Sequence, residues 1–461
     1  MPARKRPTAR AARTPRQSSL YADKLQSIGM TAAAAQAKQS LMESCDDALS
    51  TLGAPSKRWS LWVPGRIEVL GKHTDYAGGR SLLCALERGF CARVAPRSDP
   101  VLRLVDVGRG LSREFPLSAS VTGGDDWTGY VAAVVRRLTR NFPMVTNGAD
   151  VVLASDLPRA SGMSSSSALL ITVFIALGKT NDMRSTPEFR NAIFSREELA
   201  AYLACIENGN DFRGLVGDSG VGTLGGSQDH TAIVASEAGK LVRYAWSPLR
   251  KEGTLPIPKD LVFAIASSGV TAEKTAGARD SYNRASLTVR HLLRVWNAHT
   301  YRNDATLADA LHSGPEAADR LRRLARDEVA PGSRPELQLE RLEHFLVESD
   351  TIIPAAVQAL AKGEVGAFGA YVDWSQWATE RLLQNQVPET MFLARTAREV
   401  GAVAASAFGA GFGGSVWALV PREDATRILK LWEQRYRKAY PERIDAAEFF
   451  LTNAGPAAHQ W

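Results

Sequence analysis

The stretch from Asp156 to Leu169, reading Asp-Leu-Pro-Arg-Ala-Ser-Gly-Met-Ser-Ser-Ser-Ser-Ala-Leu, constrains this chain more than any other segment. The residues before it, Ala149 to Ser155, read as a strand. Those after it, Ala168 to Gly178, are apolar and read as a helix that Gly178 ends. A small, hydroxyl-rich loop between strand and helix is the chemistry of a phosphate cradle. Gly162 can take backbone angles closed to other residues, and Ser164, Ser165, Ser166 and Ser167 gather N–H groups and hydroxyls at the positive end of a helix dipole. A serine-rich linker has the same composition but would not be framed in this way. ATP is the anion such a cradle suits.

The chain has 461 residues, 45% hydrophobic and 23% charged, enough for two domains with their own cores. The formal charge is +7, but Arg4, Lys5, Arg6, Arg10, Arg13 and Arg16 stand in an acid-free amino terminus, which leaves about +1 for the remainder. Residues 1–19 are therefore expected to be a disordered basic tail, and no nucleic-acid partner is expected. Cys45, Cys84, Cys91 and Cys205 have no paired metal spacing and are too few for a disulfide scaffold, which points to a reducing, cytoplasmic setting. No apolar run is long enough for a membrane span, so no membrane partner is expected either.

Residues from about 20 to 52 read as helical. Strand patterns follow at Trp59–Pro64, Leu83–Val94, Val101–Val107 and Val151–Ala154, with a helix at Tyr130–Leu138. Thr231–Ala235 and Lys240–Trp246 read as a second strand group, followed by a turn-rich stretch holding Pro248, Gly253, Pro256 and Pro258. Leu261–Ser267 reads as a strand, and helices dominate from Ala278 to about Ala397. The expectation is an α+β protein of two domains, 20–260 and 261–461, with the active site in the cleft between them.

Three separated segments carry the chemistry: Pro64-Gly-Arg-Ile-Glu-Val-Leu-Gly-Lys-His-Thr-Asp-Tyr76, the serine loop, and Gly409-Ala-Gly-Phe-Gly-Gly-Ser415. Their order and spacing resemble the three motifs of the GHMP small-molecule kinases, and His73-Thr74-Asp75-Tyr76 resembles the galactokinase branch. Trp127-Thr-Gly-Tyr-Val131, Gly225-Gly-Ser-Gln-Asp-His230, Ser281-Tyr-Asn-Arg284 and Glu207-Asn208 resemble further elements of that branch. The stretch from Gly209 to Gly222 is longer than is usual there.

The resemblance implies a two-domain GHMP kinase fold and an ATP-dependent kinase acting on the anomeric hydroxyl of galactose or a close relative. Its partners would be the sugar and ATP, its cofactor Mg²⁺, and its state a monomer or weak homo-oligomer. Phosphoryl transfer needs cations, N–H donors and a carboxylate near the attacking hydroxyl. By resemblance, Asp229 is the base or orienter, and Arg66 holds it as a carboxylate and offsets the developing phosphate charge. Ser166 and Glu207 hold Mg²⁺, with Ser167 the other candidate serine. Trp127, the serine loop, Gly411, Gly413 and Gly414 meet ATP. His73, Asp75 and Tyr282 contact the sugar.

Two positions depart from the family pattern, which has Asn and Glu where this chain has Glu68 and Lys72. One reading places Lys72 opposite a carboxylate on the sugar, as in a galacturonate 1-kinase. The other makes Glu68 and Lys72 a self-compensating ion pair that leaves galactose in place. An arabinose 1-kinase and a non-catalytic sugar and ATP sensor are the remaining alternatives. Arg66, Ser166, Glu207 and Asp229 argue for turnover, since a sensor has little need of transition-state groups.

Overall fold

In the computed structural model, which describes residues 20–158, 161–271 and 276–461, two sheets carry the helices around them. The expected basic tail and residues 159–160 of the serine loop lie outside the described residues. The first sheet has nine strands among the described residues: β1 (Trp59–Leu70), β2 (Arg80–Pro96), β3 (Val101–Asp106), β4 (Leu111–Pro116), β5 (Ala149–Ser155), β6 (Lys240–Trp246), β7 (Leu249–Pro256), β12 (Ala454–Gly455) and β13 (His459–Gln460). Its central path runs β13-β1-β2-β5-β3-β4, and only the β3–β5 pairing is parallel. The second sheet holds β8 (Leu261–Ser267), β9 (Ala404–Ala407), β10 (Ser415–Pro421) and β11 (Glu448–Thr452) in the antiparallel order β11-β8-β10-β9.

Helices cover both faces of the first sheet. Trp127–Asn141 and Ser165–Thr180 pack on one face around Val131, Val135, Leu170 and Val173. Ala32–Thr51 lies on the other, its Met42 meeting Trp62 and Cys91, and its Cys45 and Leu49 meeting Ala95 and Val152. A single apolar cluster joins the sheets, with Ile67 and Val69 of β1 packing against Phe263, Ile265, Trp417 and Leu419. Because alternate residues of a strand face opposite ways, burying Ile67 and Val69 in that cluster turns Arg66 and Glu68 away from it.

Several local readings change. The Thr231–Ala235 run is the body of a helix, Gln228–Ala235, rather than a strand. Its apolar side chains are buried all round, and a short run of that kind has no periodicity to tell helix from strand. The turn-rich stretch after Trp246 is the strand β7, whose Pro256 closes it. The helix after the serine loop begins at Ser165 and continues through Gly178 to Thr180. The 20–52 segment is two helices, Leu20–Ser27 and Ala32–Thr51, interrupted at Gly29 with φ +98°. All four cysteines are unpaired, and no described helix is long and apolar enough to cross a membrane.

Met42 is fully buried under the Ala32–Thr51 helix. Truncating Met42→Ala should lower stability by about 2–5 kcal/mol, the usual range for a buried methionine. Urea unfolding tests this, and a change near zero would mean that this helix is not part of the cooperative unit.

Candidate active site

The register between β1 and β2 shifts twice, between Pro64 and Arg66 and again between Glu68 and Leu70. Such bulges re-aim side chains, and these two bracket the residues that the site uses. Arg66 is 3% exposed. Its Nε donates to Asp229 Oδ1 at 2.7 Å and its Nη1 to the Gly162 carbonyl at 2.6 Å. Burial alone would lower its pKa, but the charge of Asp229, then that of Glu68, raises it above the ordinary guanidinium value. Asp229 comes from the first turn of the Gln228–Ala235 helix.

Two cavities meet at this pair, each lined in part by Arg66, Asp229 and Ala410. The larger, of about 420 Å³, has an apolar end formed by Phe90, Leu104, Leu111, Trp127 and Leu153. Its polar end is Gly162, Ser164, Ser165 and Ser166, at the start of the Ser165–Thr180 helix. Gly162 sits at φ +75° and Ser164 at φ +60°, so the loop coils left-handed just ahead of the helix. That turns the helix N-terminus toward the cavity, where N–H groups and the dipole favour phosphate. From the second sheet, the Ser415 hydroxyl donates to Ser161 O at 2.7 Å and fixes the loop.

The smaller cavity gathers Glu68, His73, Asp75, Glu207, Asp229 and Tyr282. Asp75 Oδ2 accepts from the Gln228 N–H at 3.1 Å, and the rings of His73 and Tyr282 lie 5.1 Å apart. Burial raises the Asp75 pKa, opposed by the backbone donors of Gln228 and Tyr76. Glu207, 6% exposed, accepts from Ser167 Oγ at 3.2 Å and from Thr223 Oγ1 at 3.3 Å, with His230 Nε2 3.2 Å away. Thus Ser167 rather than Ser166 meets Glu207, while Ser166 faces the larger cavity. The cause is helical geometry: residues 166 and 167 leave the helix about 100° apart. Among the described residues no three His, Cys, Asp or Glu side chains form a metal cage. A buried carboxylate beside hydroxyls nonetheless suits Mg²⁺, which takes few protein ligands and keeps water and phosphate oxygens.

Lys72 does not line the smaller cavity. It is wholly buried, its Nζ 3.4 Å from Ser375 Oγ, and forms no ion pair with Glu68, although its charge is felt there. Both readings of this residue, a counter-ion for a sugar carboxylate and a direct partner of Glu68, are therefore corrected. Gly71, at φ +108°, turns the chain so that Lys72 enters the second lobe while His73 and Asp75 face the cavity. Gly411, Gly413 and Gly414 also stand back from the cavities. A Cβ on Gly411 would lie 2.2 Å from Asn385 O, and one on Gly413 would lie 2.9 Å from Val270, so these glycines let the loop close on its own lobe. Gly409 and Ala410 line the sugar-side cavity instead.

Sequence reasoning missed Gln228, Asn385 and Phe408. Gln228 Nε2 hydrogen-bonds Glu68 Oε2, and Gln228 Oε1 accepts from Ser81. Asn385 donates to Gly409 O at 3.0 Å, and the Phe408 ring lies 5.7 Å from the Arg66 guanidinium. Gln228 and Phe408 act across more than a hundred residues and Asn385 across 24, and none has a local pattern. Asp126, which caps the Trp127–Asn141 helix by accepting from Thr128 N at 3.0 Å, was missed as well, although an aspartate just before a helix is a local signal.

Glu68 is 2% exposed, and its Oε1 has no hydrogen-bond partner among the described residues. Burial pushes its pKa from 4.5 up to about 7, against the lowering influence of Lys72 and Arg66. A carboxyl that binds its proton more tightly when folded makes the fold lose stability as pH climbs from about 4.5 to about 7, because the folded chain must then carry a desolvated charge. Glu68→Gln should therefore gain stability over the wild type through that range, levelling off near about 3 kcal/mol at 1.36 kcal/mol per pKa unit. Urea unfolding at pH 5, 6, 7 and 8 measures the difference. A gap that does not change with pH would show that Glu68 titrates as an ordinary carboxyl.

Three family models match the chain in order: the galactokinase galactose-binding signature over residues 53–96, the GHMP kinases N terminal domain over 129–218 and the GHMP kinases C terminal model over 356–438. A galactokinase of Glaesserella parasuis serovar 5 is 26% identical over 382 residues, 82% of this chain and 89% of that protein. One from Roseiflexus sp. (strain RS-1) is 26% identical over 383 residues, 82% of this chain and 87% of its own. The crystal structure of Lactococcus lactis galactokinase complexed with galactose superposes with a TM-score of 0.73 at 23% identity, covering 90% of this chain and 98% of that one, which fixes the fold. These signatures, found in the same order on that fold, make the chain similar to the GHMP kinases of the galactokinase branch and support an ATP-dependent sugar kinase.

Proposed function

We propose that this kinase transfers the γ-phosphoryl group of ATP to the anomeric hydroxyl of galactose or a close relative. The observation that carries this reading is the Arg66–Asp229 pair, 2.7 Å apart in the wall shared by the two cavities. The base and ribose of ATP occupy the apolar end of the larger cavity, and the phosphates lie over Ser164, Ser165 and Ser166. The sugar lies in the smaller cavity against His73, Asp75 and Tyr282.

Asp229 orients the anomeric hydroxyl and accepts its proton as the new O–P bond forms. The bond from the γ-phosphorus to the bridging oxygen breaks, and ADP leaves. Arg66 keeps Asp229 ionised and offsets charge spreading over the transferred group. The loop N–H groups and the helix dipole meet the remaining phosphate charge. Glu207 with Ser167 would hold Mg²⁺, which when bound neutralises phosphate charge; Ser166 meets the phosphates.

A uronic acid fits this cavity poorly. Glu68, Asp75, Glu207 and Asp229 line it against the single guanidinium of Arg66, and Lys72 lies outside. A neutral sugar offers hydroxyl donors to those acceptors, whereas a sugar carboxylate would be repelled. Similarity to galactokinases favours galactose over arabinose, and a paired Arg66 and Asp229 favours turnover over sensing.

Purified protein with ATP and Mg²⁺ should convert galactose to a 1-phosphate, seen by phosphorus NMR, with little turnover of arabinose, galacturonate or glucuronate. Saturable binding of galactose and ATP with no product would favour the sensor. Asp229→Asn should lower kcat by a factor of about 10³ or more while ATP still binds; retained turnover would remove Asp229 from its role. Glu207→Gln should raise the Mg²⁺ concentration needed for half-maximal rate about tenfold or more, and an unchanged requirement would place the metal elsewhere.

A further inference from the structure

The loop that carries His73 and Asp75 is held from behind by the second lobe. The helix Pro335–Leu346 runs into a π-helical turn, Val347–Ile352, and presents Arg341, His344 and Glu348 along one face. Arg341 is 3% exposed, and His344 and Glu348 are fully buried. Glu348 Oε1 accepts from the Gly71 N–H at 2.7 Å, and Arg341 Nη2 donates to the His73 carbonyl at 2.6 Å. His73 itself sits at φ +54°, a conformation uncommon outside glycine, which persists only where its surroundings enforce it.

The same Arg341 nitrogen lies 3.2 Å from the Tyr76 hydroxyl oxygen, which lies 2.8 Å from His73 Nδ1. An arginine can only donate. Tyr76 O thus serves as its acceptor, and the phenolic O–H is left to donate to His73 Nδ1. Burial pushes the Tyr76 pKa up to about 12, so that O–H is retained at neutral pH. A His73 that accepts at Nδ1 carries its proton on Nε2, and the ring can then offer a donor to a sugar oxygen. His344 Nδ1 accepts from Arg341 Nη1 at 3.3 Å, and burial, then the charge of Arg341, keeps this imidazole neutral.

We infer that Arg341 is a positioning residue for sugar recognition: through Tyr76 it fixes His73 as the Nε2–H tautomer, and through the His73 carbonyl it holds the strained loop in its binding shape. This rests on the sugar-kinase reading of the same site. Arg341 lines neither of the two cavities, so its effect is on sugar affinity through His73.

The test combines kinetics with ¹⁵N NMR of histidine-labelled protein. The wild type should show His73 protonated at Nε2. Tyr76→Phe and Arg341→Met should each raise KM for galactose tenfold or more, change KM for ATP less than twofold, and release His73 into a mixture of tautomers. Arg341→Lys should recover part of the sugar affinity. A wild-type His73 protonated at Nδ1 would overturn the inference, as would variants in which kcat falls while KM for galactose is unchanged. Tyr76→Phe removes a single oxygen and keeps the question answerable where Arg341→Met does not fold. A wild type that fails to phosphorylate galactose would defeat the proposed function, while the tautomer spectrum would still decide on Arg341.

Discussion

A guanidinium buried to 3% exposure must have its charge and its donors met inside the protein, and the site is arranged around that requirement at Arg66. Asp229 meets the charge, the Gly162 carbonyl takes a second donor, and the Phe408 ring stands near the cation. Those partners come from a helix, a loop and the residue that follows β9 of the second sheet. Removing one member of a buried pair strands the other, at a typical cost of about 3–5 kcal/mol. The geometry proposed for phosphoryl transfer and the integrity of the surrounding fold are therefore one arrangement, and losses at Arg66 must be read with stability in hand.

A second set of charges lies behind the first. Glu68 and Lys72 replace the Asn and Glu of the family pattern. In place of a direct pair, the structure spaces Glu68, Lys72 and Glu348 through a buried region, where Glu348 is tied to the Gly71 backbone and Glu68 to Gln228. At the two positions that depart, the formal charge is zero, against −1 for the Asn and Glu of that pattern. Gly409 completes the accommodation, since a Cβ there would fall 1.9 Å from the Glu68 carboxylate. The change at position 72 thus altered the support of the loop, and the change at position 68 altered the wall of the cavity.

The motifs were legible because each encodes local backbone chemistry. The serine loop between strand and helix can be read within a few residues of itself, and the order of the segments carried the fold. What could not be read was set by long-range partners. The direction of Lys72 depends on the left-handed Gly71 and on Ser375, some three hundred residues away. The choice between Ser166 and Ser167 depends on where the helix begins. The short run Thr231–Ala235 is apolar on every side because it is buried on every side, so its periodicity said nothing. Arg341 and Glu348 carry no motif at all, since the Gly71 N–H, His73 carbonyl and Tyr76 hydroxyl that they hold lie 265 to 277 residues away.

The two cavities differ in electrical character, and Arg66 stands on the boundary. In the larger cavity the serine loop offers N–H groups, hydroxyls and a helix N-terminus, with Asp106, Arg109, Asp125 and Asp126 elsewhere in the lining. The smaller cavity offers Glu68, Asp75, Glu207 and Asp229, mostly acceptors. Polyphosphate has only acceptors, and a sugar presents many donors, so the serine-loop end of the larger cavity complements the one and the smaller cavity the other. Under the proposed reading, an attacking oxygen on the acceptor side finds a carboxylate for its proton, and the phosphoryl group finds donors on the other side. The direction of transfer across the wall then follows from how the fold divides donors from acceptors, and the guanidinium between them is the one group suited to both.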